Sequence, residues 1–117
     1  MARTTITALT APTFYSTTGL DITWTAADTT NLNDCTSASD VVLLVKNIHA
    51  TTTYTVTVTS SADPTTGRTG HITAQNVVAL ATKFIRLTKQ GWEDTNSKFL
   101  FEGNNTNIQF AVVKIRT

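Results

Sequence analysis

A chain of 117 residues with 40% hydrophobic residues is one domain, long enough to bury a core without disulfide or metal support. Charged residues make up only 15%, against about 25% in an average domain, and nine basic against eight acidic residues leave a formal net charge of +1. No basic run with interleaved aromatics suits nucleic acid, and no apolar run approaches the roughly 20 residues of a membrane helix. Threonine, at 27 positions, takes the place of charge. It is β-branched, polar and uncharged, so it covers the solvent face of a strand without breaking it. Such a surface suits an assembly in which many copies sit close together, and a secreted domain equally well. Cys35 is the single cysteine, so no disulfide can form within the chain, which favours folding in a reducing cytosol. Met1–Thr18 lacks the apolar core of a signal peptide.

In chain order, Met1–Gly19 is Thr-rich and carries Phe14 and Tyr15. Thr4–Leu9 alternates Ile6 and Ala8 with threonines and reads as an edge strand that Pro12 ends. The alternative is an arm that orders against a partner, since aromatics in a polar terminal segment need a surface to cover them. Residues 1–20 are therefore assigned as arm or edge strand, and 21–117 as the body. Leu20–Ala26 alternates Ile22 and Trp24 and predicts a second strand; Ala27–Asp40 is a polar loop. Val41–Asn47 (VVLLVKN) is a continuous apolar run, read as a strand buried on both faces. In Tyr54–Thr59 (YTVTVT), Tyr54, Val56 and Val58 face one way and three threonines the other. The two read as an antiparallel pair across Ile48–Thr53.

Ser60–Gly70, with Asp63-Pro64 and two glycines, is a turn, followed by a weaker strand at His71–Val78. Asn76–Thr82 is the one stretch that allows a helical turn. Lys83–Thr88 sets Ile85 and Leu87 against Phe84 and Arg86; Lys89–Ser97 is a loop holding Gly91-Trp92. Lys98–Glu102 puts Phe99 and Phe101 on one face, and Gly103–Asn107 turns into Ile108–Arg116, apolar on both faces. A strand of that kind belongs inside or at a subunit interface. The sum is an all-β protein: an antiparallel β-sandwich, jelly-roll-like, with seven or eight short strands.

Chemistry is thinly signalled. His49, His71 and Cys35 would need three loops to converge for a zinc site. Asp28, Asp34 and Asp40 share a loop without the spacing of a calcium loop. Glu93 and Asp94 are adjacent, so they point apart in extended chain. No catalytic residue, metal ligand or cofactor is expected. Trp24 and Trp92 could be flat platforms for sugar rings, as in a carbohydrate-binding module; the plainer reading is that they fill the core and one end of the sandwich.

An Asn/Asp loop (Asn31, Asn33, Asp34) leads to VVLLVKN at Val41–Asn47, then TVTVTS at Thr55–Ser60 and a turn containing Asp63-Pro64. FIRLT at Phe84–Thr88, a Gly-Trp loop and AVVKI at Ala111–Ile115 follow. Over residues 31 to 115 this order resembles a family of small structural proteins of tailed phages and prophages. The chain departs from that pattern in having no glycine within Cys35–Ser39, and its first 20 residues lie outside the resemblance. The resemblance implies a non-enzymatic virion protein, a decoration (cement) protein on the outside of the capsid, assembled in the bacterial cytoplasm. Its partners would be the major capsid protein and further copies of itself, as a trimer; a head–tail or tail component is the alternative. The residues expected to reach neighbours are Arg3, Ile6, Phe14 and Tyr15 of the arm, Trp92, and Ile115 at the end of the last strand. Removing residues 1–18 is expected to abolish shell binding and leave the fold intact.

Overall fold

The computed structural model describes residues 3–12, 17, 19–36, 40–59, 72–88, 92, 93 and 97–114. Over these the chain is all-β, with ten strands: β1 (Thr4–Thr5), β2 (Leu9–Thr10), β3 (Thr25–Ala26), β4 (Asn33–Thr36), β5 (Asp40–Asn47), β6 (Tyr54–Thr59), β7 (Ile72–Val77), β8 (Thr82–Thr88), β9 (Lys98–Gly103) and β10 (Ile108–Lys114). One sheet runs β1-β4-β9-β6-β7. The second runs β2-β10-β5-β8, with β3 paired to β10 as well. The two face each other across one core. Val56, Val58, Phe99 and Phe101 enter it from the first sheet, and Val41, Leu43, Val45, Phe110 and Val112 from the second. At its centre the rings of Phe101 and Phe110 meet edge to face, 4.8 Å between centroids.

The β-sandwich is as expected, with three differences in its wiring. β5 and β6 are not a hairpin: β5 pairs with β10 and β8, while β6 pairs with β9 and β7. The link Ile48–Thr53 therefore arches from one sheet to the other. Hydrophobic period reports which residues face the core, not which strand lies alongside, so pairing was the part it could not decide. Second, β4 lies inside the stretch read as a loop. Its Asn-Asp-Cys-Thr sequence has poor strand propensity. The strand forms because Asn33 and Asp34 are buried with partners: Asn33 Oδ1 accepts from the Asp28 N–H at 2.8 Å, and Asp34 Oδ1 accepts the Thr5 hydroxyl at 2.7 Å. Third, the helical turn allowed at Asn76–Thr82 is absent; β7 runs to Val77 and a β-turn leads straight into β8. The two-residue strands β1 and β2 fall outside a wholly antiparallel plan, because they pair in parallel with β4 and β10.

Those two short strands belong to one strap. Thr4 and Thr5 lie beside Asn33 and Asp34 on the first sheet, and Leu9 and Thr10 beside Val113 and Lys114 on the second. The chain between them crosses from sheet to sheet and plants Ile6, only 6% exposed, in the core. Residues 3–12 thus close one edge of the sandwich. Of the predicted strand Leu20–Ala26, only Thr25–Ala26 pairs. Leu20, Ile22 and Trp24 are nonetheless half-buried in alternation with exposed Asp21 and Thr23. The Lys46 ammonium stands 4.3 Å from the Trp24 ring centroid, so this segment lies against the outer face of the second sheet. Val42, Ala111 and Val113 are buried as well, although they lie outside the core cluster between the sheets.

The opposite edge is formed by β7 and β8. β7 carries a bulge: between the pairs Val56–Gln75 and Val58–Ile72, one residue of β6 faces two of β7. Ala74 takes a positive φ of 47° there, and its N–H donates to the Thr57 hydroxyl at 3.0 Å. A bulge twists an edge strand away from further pairing.

Candidate interaction surface

Cys35, His49 and Asp28, which the sequence offered for chemistry, are engaged in holding the fold. Cys35 is buried, and burial pushes its thiol up to about 12, with the Asp34 carboxylate adding to the shift. A thiol held protonated is neither nucleophile nor ligand. His49 Nδ1 accepts the N–H groups of Thr51 and Thr52 at 3.1 and 3.0 Å, and its ring stands edge-on to Tyr54. Asp28 closes its own turn. It accepts from the N–H groups of Asn31 and Thr30 and from the Thr4 hydroxyl, and these bonds hold its carboxyl below the ordinary range. Among the described residues, no group of three His, Cys, Asp or Glu is placed to hold a metal ion. His71 lies outside the described residues.

The residues that the sequence nominated for partner contact do not come together on one surface. Arg3 reaches inward, its guanidinium donating to the carbonyls of Asn33 (3.0 Å) and Phe101 (3.4 Å). Ile6 is part of the core, and Trp92 is half-buried against it. Phe14, Tyr15 and Ile115 lie outside the described residues. Trp24 has one ring face under the Lys46 ammonium.

A different set is displayed. The exposed large hydrophobic residues among those described are Ile48 (46%), Val78 (60%), Leu80 (71%) and Phe84 (67%). All four belong to one end of the β7/β8 edge. Ile48 begins the arch from β5 to β6, Val78 and Leu80 form the arch from β7 to β8, and Phe84 sits two residues into β8 on its outer face. The arches are locked together by Asn47, which is 1% exposed. Its Nδ2 donates to the carbonyls of Thr52 (2.7 Å) and Val77 (2.9 Å), its Oδ1 accepts from the His49 N–H, and its own N–H donates to the Ala81 carbonyl. Ile48 N–H adds a bond to the Asn107 carbonyl in the turn between β9 and β10. The cluster therefore stands on a braced end of the sandwich.

Leu80 is the telling member. The Ala81 N–H donates to the Val78 carbonyl at 2.9 Å, closing a four-residue turn, and Leu80 occupies its third position at φ 63°. That position in a type II turn ordinarily takes glycine or asparagine, because a Cβ in the left-handed region costs about 1–2 kcal/mol. Here a branched apolar side chain sits in that strained slot and points into solvent. Sequence reasoning passed over it, since Val78-Ala79-Leu80 reads as an ordinary apolar stretch. The available signal was that a junction between strands contained leucine where a turn former was due.

Fold and surface together define the class: an all-β sandwich that, among the described residues, exposes four large apolar side chains at its arches and the start of β8. No family model, curated protein or solved structure matches the chain.

Proposed function

We propose that this chain is a structural protein of a tailed-phage virion, a head decoration protein that seats on the outside of the capsid as a trimer and resists separation of its subunits. The observation that carries the reading as a binding protein is the braced apolar tip. Ile48, Val78, Leu80 and Phe84 together expose on the order of 400 Å² of apolar surface, a size at which the largest patch on a monomer is often functional. The resemblance of the motif order in residues 31 to 115 to that of phage structural proteins is what favours this assembly. VVLLVKN supplies β5, a central strand covered on both faces, and its terminal asparagine is the clamp that shapes the tip.

The mechanism is mechanical. Burying about 400 Å² of apolar surface at roughly 25 cal/mol per Å² gives about 10 kcal/mol gross, comparable with the 4–15 kcal/mol lost as two bodies become one. One such contact is weak by itself. Several copies linked in an oligomer make later contacts effectively intramolecular, so modest contacts sum to firm attachment. The test is to add the full chain to phage particles stripped of it. Saturable binding at a fixed ratio to the major shell subunit, with a rise in the temperature at which shells disrupt, supports the proposal. Failure to bind, or binding without effect on shell stability, contradicts it.

A further inference from the structure

We draw no further inference here: the strongest candidate, the apolar surface patch of Ile48, Val78, Leu80 and Phe84 at the two arches and the start of β8, carries nothing beyond the binding role already proposed, because nothing in the structure shows what covers it.

Discussion

Substituting Ile6 by alanine separates two roles for the N-terminal segment, free arm or part of the sandwich. Ile6 is 6% exposed and packs in the core from the strap that joins the two sheets at one edge. Its N–H donates to the Asp34 carbonyl at 2.9 Å, and two residues earlier the Thr4 N–H donates to the Leu32 carbonyl at 2.9 Å. Truncating a buried isoleucine to alanine costs about 2–5 kcal/mol, the transfer of the lost methyl groups plus the cavity left behind. In a domain of this size about 1 kcal/mol moves the melting temperature by roughly 4 °C, so Ile6→Ala should lower it by roughly 8–20 °C in a thermal unfolding scan. Deleting residues 1–8 should do more. It also removes the Thr5 hydroxyl from the buried Asp34 carboxylate and the Arg3 bonds to the Asn33 and Phe101 carbonyls. The expectation from sequence, that truncating residues 1–18 leaves the fold intact, is thus replaced by substantial destabilisation. A melting temperature within about 3 °C of the parent for both variants would refute the strap as a structural element.

Other consequences follow from single contacts. A Cβ on Gly103 would meet Ile108 Cγ2 at 2.8 Å and the Ala27 Cβ at 3.1 Å, so Gly103→Ala should cost about 1–3 kcal/mol by overpacking, read from denaturant unfolding. Asn47→Ala leaves the Thr52 and Val77 carbonyls without their donor; a loss of about 2–4 kcal/mol is expected, with faster hydrogen exchange in both arches. Cys35 should resist a thiol reagent until the protein unfolds. Its thiol, raised from an ordinary 9.0 to about 12, stays protonated in the folded chain while the unfolded chain loses the proton near pH 9. Stability should therefore fall as pH rises between about 9 and 12, by up to about 1.4 kcal/mol per pH unit, and Cys35→Ala should lack that part of the slope. Equal slopes for parent and variant would contradict the burial argument.

Core membership was plainly legible in the sequence. Alternation in Tyr54–Thr59 placed Val56 and Val58 inside, the pair Phe99 and Phe101 shared a face, and the unbroken apolar runs marked β5 and β10 as covered on both sides. The partner of each strand was not legible, because period 2 fixes a face and is silent on neighbours. β4 escaped notice because it is held by buried polar partners and not by propensity. The candidate surface was missed for a related reason. Exposure of an apolar residue is a tertiary property, and the one local signal in Val78-Ala79-Leu80 was a leucine at a junction between strands where a turn former was due. The arm was weighed as edge strand or free segment; Ile6 shows what decided it, since a single well-placed apolar residue anchors a strap whose two paired stretches are each two residues long.

The most direct test of the central claim is the copy number of this chain in purified phage particles from its source, measured by quantitative mass spectrometry against the major shell subunit. A ratio of the same order as that subunit is the predicted result. A handful of copies would move the protein to the neck or tail, and absence from the particles would contradict the account.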